Sequence, residues 1–496
     1  MLRKIRIIVA SVCLALITLL FLDFTGTIHA WFGWLAKVQF LPAVLALNVG
    51  VVIALILLTL LFGRVYCSTI CPLGVMQDIF SWMGGRAKKN RFKYTEPKTK
   101  LRWVMFVVFV VLMVAGFGSL ALLIAPYSAF GRIAQNLLAP IWQAGNNLLA
   151  LIAERVDSYA FYSTEIWIRG IGTFAVAAIT LVTLAILAWR KGRLYCNSIC
   201  PVGTLLGAIS QFSLFRPVID TTKCSGCNRC ARNCKSSCIN VKEHTIDYSR
   251  CVACLDCIDI CNNGAVKFAV RKRKPAAKPA AEPASDAQSA SRRNFIMATG
   301  LLATSAAKAQ EMKLDGGYAT IIDKQAPPRE NAITPVGSLS ARNMTSHCTG
   351  CQLCVAVCPT HILRPSANLA TFMQPYVSYE NGYCRPECNK CSSVCPTGAI
   401  RPITLEEKSS TQIGHAVWVK KNCVVVTDDV ECGNCSRHCP SSAITMVPLN
   451  ADDPKSKKIP AINEERCIGC GACENLCPSR PFSAIYVEGH LVHKTI

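Results

Sequence analysis

Twenty-four of the chain's 30 cysteines fall into six short runs, and these runs constrain the fold more than any other feature. Cys224, Cys227, Cys230 and Cys234 are spaced C-x2-C-x2-C-x3-C, and Cys251, Cys254, Cys257 and Cys261 repeat the spacing. Four more runs lie beyond residue 340. They are Cys348, Cys351, Cys354 and Cys358; Cys384, Cys388, Cys391 and Cys395; Cys423, Cys432, Cys435 and Cys439; and Cys467, Cys470, Cys473 and Cys477. Each of these four ends in Cys-Pro, and the middle two have a stretched first gap. A tight loop of this kind offers three thiolates to three irons of a cube. The fourth iron is met from elsewhere, by the last cysteine of a second run. Six runs predict six [4Fe–4S] clusters. By the same rule Cys261 completes the first cluster and Cys234 the second, with Cys238 a rival for Cys234.

Zinc and disulfides explain the runs less well. Zinc sites use paired C-x2-C, often with His, and close at four ligands. Disulfide frameworks do not crowd cysteines at two- and three-residue gaps ahead of proline. Small units of this kind wrap short hairpins and single helical turns around metal, which replaces much of the apolar core.

Half of the sequence, 51%, is hydrophobic, and its mean hydropathy is +0.32. Four apolar runs approach the roughly 20 residues that cross ~30 Å of hydrocarbon. They end at Phe24 or cover 41–62, 103–124 and 170–188. A run near the start can also be a signal peptide, but with more spans following it reads as the first membrane helix. The net charge is +23, and the excess sits in loops beside these spans, not along a nucleic-acid-binding face. Arg64, Arg86, Lys88, Lys89, Arg91, Lys93, Lys98, Lys100 and Arg102 separate the second and third spans. Arg190, Lys191 and Arg193 follow the fourth. The positive-inside rule then puts both ends of a four-helix bundle in the cytoplasm. Residues 137–153, apolar but interrupted by Pro140 and Gly145, are expected along the outer membrane surface.

The bundle carries an internal repeat. Gly63-Arg-Val-Tyr-Cys-Ser-Thr-Ile-Cys-Pro-Leu-Gly74 returns as Gly192-Arg-Leu-Tyr-Cys-Asn-Ser-Ile-Cys-Pro-Val-Gly203, identical at eight of twelve positions. In a helix each pair, Cys67/Cys71 and Cys196/Cys200, shares one face. Brought together, the two copies offer four thiols to an iron–sulfur cluster, another soft-metal centre or a redox-active dithiol. Buried packing cysteines are the plain alternative. Cys13 stands alone and is given no ligand role, nor is His29, and the lack of C-x-x-C-H rules out c-type haem.

These patterns divide the chain into a four-helix membrane domain (1–215), a cytoplasmic two-cluster ferredoxin domain (216–270), a Pro/Ala-rich charged linker (271–310) and a four-cluster domain (340–496). The fold class expected is membrane α-helical plus two ferredoxin-like α+β domains of short hairpins and helices. Within the linker, Ser291-Arg-Arg-Asn-Phe-Ile296, a modest apolar stretch and Ala307-Lys-Ala309 have the layout of a twin-arginine export signal. That route carries folded cargo, which suits a domain loaded with clusters before export. The last domain is then expected in the periplasm of a bacterium, beyond the inner membrane.

With its four spans, two C-x3-C-P motifs and two-cluster tail, 1–270 resembles the NapH/MauN family of membrane ferredoxin-type proteins. Residues 291–496, with a twin-arginine leader and four cluster runs, resemble the NapG/MauM family. The fusion of the two and the missing proline after Cys234 and Cys261 are departures. By analogy with four-cluster ferredoxin subunits, the first distal run is expected to exchange ligands with the fourth, and the second with the third. The resemblance implies a quinol dehydrogenase module that draws on the membrane quinol pool and supplies a periplasmic reductase or cytochrome. A redox-sensing or maturation factor for a partner metalloenzyme is the alternative. Clusters on opposite sides of a bilayer are too far apart for one hop, so a membrane centre or a cytochrome partner is required between them.

Overall fold

The computed structural model describes residues 2–23, 26–87, 92–158, 161, 163–164, 170–271 and 322–496. The linker, with its paired arginines and Ala309, lies outside the described residues.

Two helices of 21 residues could cross a membrane, Leu2–Leu22 and Ile171–Lys191. At 1.5 Å per residue each runs about 31 Å. The other two expected spans are shorter. Val49–Phe62 has 14 residues, because Leu47 turns the chain at φ +53° and the Asn48 side chain caps the helix by accepting from Val51 N at 3.3 Å. Residues 41–45 belong to a separate short helix, Phe40–Leu45. Thr99–Val114 has 16 residues and stops before Gly116, which takes φ +83°. Residues 139–154 form one helix despite Pro140 and Gly145. Proline in the first turn costs no hydrogen bond.

The duplication extends well beyond the twelve-residue motif. Leu2–Leu22 is followed by short helices between residues 27 and 45, then Val49–Phe62, the single turn Val65–Thr69 and Pro72–Ala87. Thr99–Val114 is followed by short helices between residues 118 and 138, then Ala139–Glu154, Ile171–Lys191, the single turn Leu194–Ser198 and Pro201–Ser210. Among the described residues, Ala139–Glu154 is the one helix without a counterpart in the first half. Each motif tyrosine reaches into the short helices of its own half. Tyr66 Oη donates to Gln39 Oε1 at 3.0 Å and accepts from Phe40 N at 3.1 Å, and Tyr195 Oη donates to Ile124 O.

Residues 215–271 form the proximal ferredoxin domain. Strands Phe215–Ile219 and Val266–Val270 pair antiparallel and close its ends together. Phe215 stacks on Phe62 at 5.6 Å, which seats the domain on the bundle. The distal domain, 322–496, is built on three further two-stranded sheets, the longest joining Thr411–Trp418 to Ile485–Thr495. Its apolar core is continuous with that of the bundle, running from Ile17 and Phe21 to Val336, Leu363 and Val487. The smaller cores are rich in cysteine. Cys234 and Cys238 are buried in the proximal domain, as are Cys423, Cys467, Cys473 and Cys477 in the far part of the distal domain.

Candidate iron–sulfur sites

In each half of the bundle the motif breaks the helix instead of extending it. Gly63 (φ +74°) and Gly192 (φ +60°) end the preceding helices. One helical turn holds Cys67 or Cys196, and Cys71 or Cys200 precedes the proline that starts the next helix. The members of each pair therefore do not share a helix face. They meet through the turn, and all four are about 5% exposed. Cys200 lies within electrostatic reach of Cys196, Cys71 and Cys67, which makes the two pairs one group.

Two arginines lock the halves together reciprocally. Arg64 donates to Cys196 O at 3.1 Å and to Asn197 Oδ1 at 2.8 Å. Arg193 donates to Cys67 O at 2.7 Å and to Asp78 Oδ1 at 2.9 Å. Both guanidiniums are fully buried. Their Nη atoms approach sulfur, Arg64 at 4.0 Å from Cys67 and Arg193 at 3.9 Å from Cys196. The arginines fit because the last motif residue is glycine. A Cβ on Gly74 would lie 2.3 Å from Cys67 O and 2.7 Å from Arg193, and one on Gly203 would lie 2.2 Å from Cys196 O and 2.9 Å from Arg64. All four thiols are sealed from solvent, whereas an exchanging dithiol needs access to its partner. Four buried thiols beside two buried cations suit a metal-bound group, whose iron or other metal ions would take the place of the thiol protons.

In the proximal domain Cys224, Cys227, Cys230 and Cys261 line one cavity. Cys234, Cys238, Cys251, Cys254 and Cys257 line a second. Cys234 bears on both Cys254 and Cys257, whereas Cys238 lies against Cys234, at 3.5 Å, and Cys251. Ser236, in the lining of this second cavity, has a buried Oγ with no hydrogen-bond partner among the described residues. A sulfide-bearing cluster would give it one.

The distal runs pair differently from expectation. Cys358 lines a cavity with Cys384, Cys388 and Cys391, and Cys395 lies within reach of Cys348, Cys351 and Cys354. The first run is thus placed to exchange with the second. Cys439 is near Cys467 and Cys470, and Cys477 is near Cys435, so the third exchanges with the fourth. The hairpin Leu363–Pro365/Pro375–Val377 is the reason. It turns the chain back directly after Cys358 and delivers Cys384 beside it. Among the described residues no three Cys, His, Asp or Glu side chains converge tightly enough for a single metal ion. Zinc at ~2.3 Å from sulfur would need such convergence. Sets of four or five cysteines instead line shared cavities.

The cysteine sets follow one another through the molecule. Arg193 N donates to Lys235 O at 2.8 Å, tying the second motif to the residue after Cys234. Arg64 also donates to Ser249 O at 3.1 Å, two residues before Cys251. Asp78 anchors this junction, within 3.0 Å of Arg6, 2.9 Å of Arg193 and 3.6 Å of Lys235. Burial opposes its charge, but Arg193 and Lys235 outweigh that and hold the carboxyl well below the usual range. At the other end of the bundle Asn136 donates to Gln352 Oε1 at 2.9 Å, beside Cys351. Farther on, Cys384 N donates to Cys470 O at 2.9 Å and joins the two distal pairs. Sequence reasoning missed Asp78, whose ion pairs with Arg6, Arg193 and Lys235 join distant segments.

Two families match the chain. One, described as a 4Fe-4S binding domain, covers 44–91 and 173–219, the two copies of the repeat. The other, a 4Fe-4S dicluster domain, covers 347–399 and 430–480, the two halves of the distal domain. An uncharacterized protein of Methanocaldococcus jannaschii is 23% identical over 248 residues, 49% of this chain and 80% of its own length. The ferredoxin-type protein NapH of Escherichia coli is 24% identical over 239 residues, 47% of this chain and 70% of NapH. The methylamine utilization ferredoxin-type protein MauN of Paracoccus denitrificans is 25% identical over 206 residues, 41% of this chain and 57% of MauN. No solved structure matches. The chain carries 4Fe–4S domains and over about half its length is similar to ferredoxin-type proteins of the NapH and MauN kind.

Proposed function

We propose that this protein conducts electrons across a membrane, from quinol to a periplasmic reductase or cytochrome, through an unbroken series of thiolate-held sites. The observation that carries the proposal is the position of Cys67, Cys71, Cys196 and Cys200. They lie between a ferredoxin domain held through Arg64, Arg193 and Asp78 and a distal domain held through Asn136. A centre at these four cysteines supplies the step that separated clusters lack. Six [4Fe–4S] clusters and this further centre, each storing one electron with little rearrangement, would make the series.

The remaining features fit one topology. Of four spans, the inner two short, the second and fourth carry the repeat at their cytoplasmic ends. The proximal domain is cytoplasmic, and the NapG/MauM-like distal domain is exported by the twin-arginine segment. The protein's own task is to hold each site at a fixed spacing and exclude water. Arg64 and Arg193 offset negative charge that Cys67, Cys71, Cys196 and Cys200 would otherwise bury. The burial of these thiols speaks against a metal- or thiol-handling maturation role.

The test is iron content and electron paramagnetic resonance on anaerobically purified membranes, before and after a menaquinol analogue is added. About 24 irons from six four-iron cubes, plus those of the membrane centre, are expected, with signals that grow on quinol addition. Full iron content with no quinol response would reject the quinol step. Zinc in place of iron would reject the whole reading.

A further inference from the structure

The junction between the bundle and the distal domain contains a cation without a counter-ion. Arg132 is 1% exposed and forms no ion pair among the described residues. Its Nη atoms donate to Leu122 O at 3.3 Å and Leu123 O at 2.8 Å, while Nε is buried with no partner among the described residues. The ionisable groups that bear on it are Tyr195 and Cys351. Tyr195 lies next to the membrane thiols, within reach of Cys200 and Cys196, and bonds to the same 122–124 turn through Ile124 O. Contact on the distal side is close. A Cβ on the neighbouring Gly131 would lie 2.4 Å from Cys351 O. Tyr127, from the same helix, lies within electrostatic reach of Cys351 and Cys395, and its buried hydroxyl has no hydrogen-bond partner among the described residues.

A lone buried guanidinium is costly unless negative charge compensates it. No carboxylate does so here, whereas a thiolate-bound cluster is anionic and gains one more negative charge on reduction. We propose that Arg132 is a positioning charge for electron transfer, stabilising the added electron on the centre held by Cys348, Cys351, Cys354 and Cys395. The inference rests on the electron-transfer reading above. Arg132 makes reduction at this centre easier than at a site without the cation, and so draws electrons out of the membrane thiol site. The phenol of Tyr127 would be free to donate a hydrogen bond to the same centre.

The test is a redox titration of the full-length protein followed by electron paramagnetic resonance, with no quinol present. At a fixed potential, Arg132→Gln is expected to lower the reduced-to-oxidised ratio of this centre about tenfold, or about 59 mV for one electron. Arg132→Lys, which keeps the charge, should recover most of the shift. The centre at Cys224, Cys227, Cys230 and Cys261, far along the series, should not move. Tyr127→Phe removes only the hydroxyl and should shift the same centre in the same direction by less, an independent reading if Arg132→Gln folds poorly. Unchanged potentials in Tyr127→Phe and Arg132→Gln, or equal shifts in the Gln and Lys variants, would overturn the inference and leave the electron-transfer reading intact. Absence of a cluster at this set in the unaltered protein would overturn both.

Discussion

Gly74 and Gly203 leave no room for a methyl group, because each admits the arginine of the other half. Gly74→Ala or Gly203→Ala should therefore disrupt the membrane thiol site. The cost should be about 1–3 kcal/mol or more, as for overpacked cores. Loss of iron beyond the soluble clusters, with a lower unfolding temperature, would register it. A fully loaded, equally stable Gly203→Ala variant would contradict this packing. The paired Cys234 and Cys238 give a second residue-scale prediction. Cys234→Ala should abolish the centre at Cys251, Cys254 and Cys257, whereas Cys238→Ala should leave its resonance signal in place. The reverse result would make Cys238 the ligand. The repeated motif could be read in the sequence as eight shared positions. The reason for the arginine and the final glycine could not, because Arg64 and Cys196 are 132 residues apart.

Among the elements, the distal hairpin Leu363–Pro365/Pro375–Val377 decides which runs share ligands. Cys395→Ser should remove the centre at Cys348, Cys351 and Cys354, and Cys358→Ser the one at Cys384, Cys388 and Cys391. Cys477→Ser should spare both and remove the centre at Cys423, Cys432 and Cys435. Low-temperature resonance spectra of the three variants would separate these outcomes, and loss of the first-run signal in Cys477→Ser would restore the first-with-fourth pairing. Run positions were plain from spacing, since a ligand loop is local. Pairing was not, because it depends on how a short hairpin closes. Neighbouring runs also pay less loop-closure entropy than distant ones. Helix boundaries follow the same division. The apolar stretches at 41–62 and 103–124 were visible, but the breaks at Leu47–Asn48 and Gly116 come from single backbone conformations. The short helices between residues 118 and 138 had no sequence signal of their own.

For the whole molecule, cysteine sets that lie far apart in sequence form one spatial series with the membrane thiols in its middle. The basic excess of +23 serves two ends. Part lies in loops beside the bundle. Part is buried as Arg64, Arg132 and Arg193, and Arg64 and Arg193 approach the sulfurs of Cys67 and Cys196. The twin-arginine segment and the sidedness of the distal domain rest on sequence alone, and protease protection of the distal domain in sealed vesicles would test them. The most direct test of conduction uses the full-length protein in sealed, quinone-free liposomes, with a membrane-impermeant oxidant trapped inside and an impermeant reductant outside. The trapped oxidant should be reduced by the unaltered protein. In Cys67→Ser and Cys196→Ser the rate should fall to that of protein-free liposomes while the soluble-domain clusters remain loaded. Undiminished transfer in those variants, or no transfer by the fully loaded unaltered protein, would contradict a path through the four membrane cysteines.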